Sequence, residues 1–280
     1  MLELLLVAAG IVGFGLAGYW DLKTTEFPDW LPYSMIIIGI AASAIDSFLM
    51  SNWGLLTNTV ITGVLFLAIG LGMYFSRQWG DGDAWLLGAF GFVFPGSLAV
   101  HSGIFPFPVA MIFNFFIAAF IYIIFYSLGL SVTTPGAWKG FIRSYRQDYK
   151  GTVVLVCGAT MAYIAFLIAM FFAFRLVPPS PFFVAAFPVL IAFVAVFSKY
   201  GMYIERHLFK RRIPVSKLRT GDVPLDAKWR CLKPAEVARL KRRGGYIWIK
   251  EGVRFAPVFL LAFLLTLALG DVFSLIFGLI

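Results

Sequence analysis

The sequence predicts an all-α polytopic membrane protein of about eight transmembrane helices that carries a small cytoplasmic α+β insertion. Three observations predict it. Hydrophobic residues make up 61% of the 280-residue chain and charged residues only 13%, too much apolar surface for one soluble core. Apolar runs approaching the ~20 residues that cross a bilayer recur along its length. The formal charge of +9 is concentrated in the interval 199–254, between two such runs.

The first run, at about 2–20, begins MLELLLVAAG, with an acid at Glu3 and no basic segment before it, and reads as a retained first helix. Further spans are predicted at roughly 31–50, 55–76, 84–100, 107–131, 152–174, 182–200 and 255–280. The fourth is short and interrupted by Gly88, Gly91, Pro95 and Gly96, which suits a broken or re-entrant segment. Between spans seven and eight, Pro234 at a first helical position, the run AEVARLKRR and the stop Gly244-Gly245 predict one short helix. The stretches RIPVSKLRTGDVPLD and YIWIKEGVRF predict strands with Gly-Asp turn punctuation. The expected organisation is a membrane region over 1–131, an amphipathic linker with further spans over 132–200, a basic insertion over 201–254 and a final helix over 255–280. The insertion, about 50 residues, is too small to hold an independent catalytic domain comfortably.

Lys and Arg orient the bundle. Alternate loops hold Lys23, then Arg77, then Lys139, Arg143, Arg146 and Lys150, then the block from Lys199 to Arg254, whereas the opposite loops hold only Arg175. Both termini are therefore predicted outside, and the loops after spans one, three, five and seven in the cytoplasm. A basic segment between membrane helices anchors topology and meets anionic lipid headgroups. No nucleic-acid-binding module is recognisable in it.

The acids sort by side. Glu3, Asp46 and Asp271 fall near external helix ends, while Asp21, Glu26, Asp29, Asp81 and Asp83 gather at the cytoplasmic face. Asp21 closes the first span, and Trp79-Gly80-Asp81-Gly82-Asp83-Ala84-Trp85 opens the fourth, so acids from both stand at one depth. Carboxylates there tend to face a bundle interior or a wet cavity. Each could serve its helix instead, Asp21 ending one and Asp83 capping another. If spans one and four are neighbours, Asp21 can meet Asp83, with Asp81 a competitor for the second place. Two facing carboxylates share one proton, and the pair can activate water and protonate a carbonyl oxygen. Gly80 and Gly82 fit a substrate lying extended beside them, because glycine permits close backbone approach.

Gly80-Asp81-Gly82-Asp83 matches the GxGD motif of membrane aspartyl proteases, and Asp21 followed by EFPDWLPY at 26–33 resembles the first-aspartate loop of prepilin peptidases, with Phe27 in place of the usual Ile. The spacing and the later basic insertion followed by WIKEGVRFAPVFLLAFLLTLALGD are similar to the archaeal prepilin and preflagellin peptidases. The resemblance is sharpest over 15–90. It implies that Asp21 and Asp83 are the catalytic pair, that Gly80 and Gly82 shape the motif, and that Asp81 occupies its variable position. Bacterial members commonly carry two CxxC pairs in a zinc-binding loop, and many also methylate the new amino terminus. This chain has no CxxC, its two cysteines being Cys157 and Cys231, and a peptidase without methyltransferase activity is expected.

The remaining polar residues carry less. His101 and His207 are predicted on opposite faces, which leaves no shared metal site. Ser131, Ser144, Ser216 and the two His show no spacing suited to a serine triad. Trp79, Trp85, Trp138 and Trp248 fit an interfacial aromatic belt. The expected function is a membrane aspartic endopeptidase, needing no cofactor or metal. It removes short basic leaders from type IV pilin-like or archaellin precursors at the cytoplasmic face. Two alternatives stay open. One is a presenilin-like or signal-peptide-peptidase-like intramembrane protease, although the Pro-Ala-Leu motif of that group is absent. The other is a proton-coupled transporter, whose acids would lie nearer the bilayer midplane.

Overall fold

The computed structural model describes residues 2–76, 78–94, 106–174, 181–218, 222–225, 232, 234–250, 252–272 and 275. The elements in chain order are α1 (Leu2–Thr24), α2 (Trp30–Leu49), α3 (Gly54–Phe75), α4 (Asp81–Val93), α5 (Phe107–Thr133), α6 (Ala137–Phe174), α7 (Pro181–His207), β1 (Lys210–Pro214), β2 (Val223–Pro224), α8 (Pro234–Arg243), β3 (Tyr246–Lys250) and α9 (Pro257–Leu269). Each apolar run forms a helix among the described residues. Six of these, α1, α2, α3, α5, α6 and α7, are long and apolar enough to cross a membrane. The other two, α4 and α9, have 13 residues each, or about 20 Å at 1.5 Å per residue against a hydrocarbon core of about 30 Å. The described helix α4 ends at Val93, with Phe94 extended (φ −72°, ψ 123°) ahead of Pro95, because a following proline disfavours helical backbone. Pro95 and Gly96, Arg77, His101, Arg175, Gly221 and Cys231 lie outside the described residues.

The chain divides into two compact units, one of residues 1–124 with 253–280 and one of residues 125–252. In the first, α4 is buried at Ala84 and from Leu86 to Phe94. A helix apolar on every side needs neighbours on every side, and α4 packs chiefly on α3 and α2 and also touches α1 and α9. Small residues make the fit possible. A side chain at Gly70 would stand 2.5 Å from the Ala84 carbonyl oxygen, and one at Gly39 would stand 2.4 Å from that of Phe92. The core is aromatic, with Phe14, Phe90, Phe115, Phe259 and Phe263 in mutual ring contact. The C-terminal helix α9 packs along α1. Its far end is fastened by Asn114, fully buried, whose Nδ2 donates to Thr266 Oγ1 (3.1 Å) and to the Gly270 carbonyl (2.5 Å), while its Oδ1 accepts from the Val272 N–H (3.2 Å).

In the second unit α6 and α7 pack together. The predicted linker and sixth span form one helix, kinked at Asp148 (φ −128°, ψ 20°). The insertion holds a three-stranded antiparallel sheet of order β1-β3-β2, with Lys210 opposite Lys250 and Arg212 opposite Trp248. Ile213 and Ile249 bury one sheet face with Val215, Leu218 and Val237 of the adjoining segments. The predicted short helix is α8, and Gly244 (φ 67°) and Gly245 (φ 96°) end it in the left-handed region that glycine alone adopts freely.

Candidate active site

Asp83 owes its place to the way α4 begins. Gly80 is the extended residue before the helix (φ −73°, ψ 161°), so Asp83 is the third helical residue. A carboxylate at that position can reach back to the N–H of the residue that precedes the helix, the return arm of a capping box. Asp83 does this, accepting from the Gly80 N–H. Asp81 stands two residues earlier, about 200° around the helix, and is exposed, whereas Asp83 is half-buried. The spacing of the motif thus turns one aspartate to solvent and the other inward.

Gly82 has a different role. A Cβ there would meet the Phe27 ring at 2.7 Å, so the loop after α1 lies against the motif only because residue 82 has no side chain. A Cβ at Gly80 would stand 3.5 Å from the Asp83 carboxylate, an ordinary contact, and the φ of Gly80 is negative.

Asp21 lies in the last turn of α1 and is buried, although its neighbours Lys23, Thr24 and Thr25 are exposed. Its partner comes from the other end of the chain. Asp21 Oδ2 accepts the Ala256 N–H at 2.9 Å, and its carboxylate also accepts from the Phe255 N–H. Ala256 immediately precedes α9, so the carboxylate sits on the free donors and positive end of that helix. The approach is close because α1 has Gly18 there, where a side chain would come within 3.2 Å of Pro257 Cα. Arg254 adds a cation in electrostatic reach of Asp21 and donates from Nη1 to the Leu22 carbonyl. The Tyr122 hydroxyl in turn donates to the Arg254 carbonyl at 2.6 Å.

These two helix starts meet at one end of the first unit. Asp83 is within electrostatic reach of Asp21. Trp79 packs on Phe255, Phe259 and Phe115 at ring separations of 5.5, 6.5 and 5.7 Å, tying the glycine-aspartate motif to the start of α9. Trp85 meets Tyr33 edge-on at 4.8 Å on the other flank. A pair of carboxylates in mutual reach, each held by backbone donors, can keep one proton between them and exchange it with a third group.

Sequence reasoning brought Asp21, Gly80, Gly82 and Asp83 to this end of the bundle, and the structure puts them there, with Asp81 beside them facing out. It did not find Arg254, Phe255 and Ala256. The segment WIKEGVRF was noted for its resemblance, but nothing local in it points to a contact with the first helix. Of the other polar candidates, His207 stacks on Tyr203 at 4.4 Å, in the second unit. Among the described residues no three His, Cys, Asp or Glu side chains gather into a metal-binding group.

The family model of the type IV leader peptidase family matches residues 8–128, the segment that carries both aspartates. No curated protein and no solved structure matches the chain.

Proposed function

Through residues 8–128 the chain belongs to the type IV leader peptidase family, and on that premise we propose that it is an aspartic endopeptidase in which Asp21 and Asp83 are the catalytic pair. Its family makes it a membrane peptidase of pilin-type precursors. The finer reading is that it removes short basic leaders from type IV pilin-like or archaellin precursors at the cytoplasmic face, as an archaeal-type member without methyltransferase activity. The observation that supports the dyad is the pairing itself: the only acids of the two motifs that turn inward come within electrostatic reach of each other, one seated on the N–H of Ala256.

In the proposed reaction, the ionised carboxylate takes a proton from a water molecule as its oxygen attacks the scissile carbonyl carbon. The protonated partner donates to the carbonyl oxygen, giving a neutral tetrahedral diol. Collapse then returns a proton to the leaving nitrogen as the carbon–nitrogen bond breaks. Gly80, Asp81 and Gly82 would shape the motif beside the pair, Gly82 by admitting the Phe27 ring against it.

A helical substrate has its carbonyls locked in hydrogen bonds, whereas the junction between a polar leader and an apolar helix is already extended and hydrated. Cleavage is therefore expected at that junction. The test incubates the purified chain in detergent with pilin-type precursors and reads the new amino terminus by mass spectrometry. Reversing the leader's basic charges should slow the reaction more than apolar exchanges deep in the substrate helix. Products cut several residues inside the apolar segment would sink the leader-peptidase reading in favour of intramembrane proteolysis.

A further inference from the structure

The first part of α6 presents a surface that hydrolysis does not use. Lys139, Arg143, Arg146 and Lys150 follow one another at intervals of four, three and four residues, which places them along one stripe of a 3.6-residue helix. All four are exposed. Trp138, Ile142, Tyr145 and Tyr149 repeat the same intervals one residue earlier and form a second stripe beside the first. Trp138 is 52% exposed and Tyr149 47%. Ala137 and Phe141 are buried on the remaining face, where Phe141 packs with Tyr200 and Ile204 of α7.

Along the basic stripe lies a shallow groove of about 360 Å³ lined by Lys139, Ile142, Arg143, Arg146 and Gln147. Its lining holds three cations, the apolar Ile142 and no acid. Asp148, the acid nearest in sequence, is ion-paired with Lys199 of α7. The helix kinks at Asp148, and beyond Thr152 the sequence VVLVCGATMAYIAFLIAMFFAF carries no charged residue. The striped segment therefore stands where a membrane span gives way to water, the depth of the lipid headgroups.

We propose that this flank of α6 binds anionic phospholipid headgroups, with Lys139, Arg143 and Arg146 on the phosphate, Lys150 extending the stripe towards the span, and Trp138, Ile142 and Tyr149 against the upper acyl region. Charge and position select this occupant. Cations near an anionic leaflet are drawn to it, and aromatic side chains with one polar end favour that layer. A basic peptide is repelled by the stripe. An acidic peptide would meet the charge but would gain little from an aromatic row at membrane depth. The inference does not depend on the chain's being a peptidase.

The experiment offers the purified chain, in detergent, equal amounts of phosphatidylglycerol and phosphatidylcholine and counts retained lipids by native mass spectrometry. The unaltered chain should retain phosphatidylglycerol preferentially. The variant K139Q/R143Q/R146Q should lose that preference by roughly tenfold or more. The variant K241Q/R242Q/R243Q removes as many exposed cations from α8, in the basic segment that is also expected to meet headgroups, and should lose less of the preference than the α6 variant; an equal or larger loss overturns the proposal. Circular dichroism checks that each variant is folded, and R143Q alone, with a partial loss expected, serves if the triple variant is not. Undiminished preference in the α6 variant overturns the proposal. So does displacement of the lipid by inorganic phosphate at comparable concentration, or retention of poly-glutamate without any lipid preference, which would assign the stripe to an acidic protein segment.

Discussion

A carboxylate that accepts a backbone N–H keeps that bond when it becomes a carboxamide, because the amide oxygen accepts as well. Asp83 holds the Gly80 N–H and Asp21 the Ala256 N–H, so Asp83→Asn and Asp21→Asn should each leave the thermal unfolding temperature nearly unchanged. What the amide cannot do is carry the proton that the proposed dyad would shuttle. Turnover should therefore fall by at least about 10²-fold in each variant, while Asp81→Asn, altered on the exposed side, stays active. Precursor cleavage measured beside thermal unfolding checks both halves, and full activity in either of the first two variants would remove that residue from the dyad. This much was legible in the sequence, since a helix start and a helix end are local features. Phe27 over Gly82 was not: which ring fills the space above a glycine is set by how two loops pack.

Helices end and insert by rules that single residues expose. The backbone of α1 stops at Thr25, whose N–H donates to the Asp21 carbonyl at 2.9 Å and whose φ is 63°. A β-branched residue is strained in that left-handed cap, where glycine is the usual occupant. Thr25→Gly should stabilise the chain by about 1 kcal/mol and raise its unfolding temperature in detergent by a few degrees. A fall would show that the threonine's own hydrogen bonds outweigh the strain. The insertion of α4 depends on Gly70, whose missing side chain lets the Ala84 carbonyl approach. Gly70→Leu forces backbone apart in a packed core and should cost about 1–3 kcal/mol or more. Because Asp83 precedes Ala84 directly, the same variant should lose activity beyond what its lower stability accounts for. Native stability with native turnover would mean that α4 is held by something other than this contact.

At the scale of the molecule, the Lys and Arg asymmetry predicts which water phase each end of the first unit meets. In a background with Cys157 and Cys231 replaced, a cysteine at Thr25 should react with a membrane-impermeant thiol reagent only from the cytoplasmic side, and one at Asn52, at the opposite end of α2, only from outside. Labelling of residue 25 from outside in intact cells would reverse the orientation and with it the access of a cytoplasmic leader. The sequence alone determined the membrane class, the positions of the apolar helices, the short helix and strands of the insertion, and the placing of Asp21 and Asp83 at helix ends. Those features depend on hydropathy over about 20 residues or on spacings of three or four, which one segment carries by itself. Tertiary structure decided the rest. That α4 is enclosed follows from glycines at Gly39 and Gly70 meeting carbonyls of another helix. That Asp21 rests on Ala256, 235 residues away, follows from α9 returning to pack along α1. Neither could be read from the chain, because a hydrogen bond or a close contact between distant segments leaves no period in either one. It exists only once burial of the apolar faces has brought the helices together.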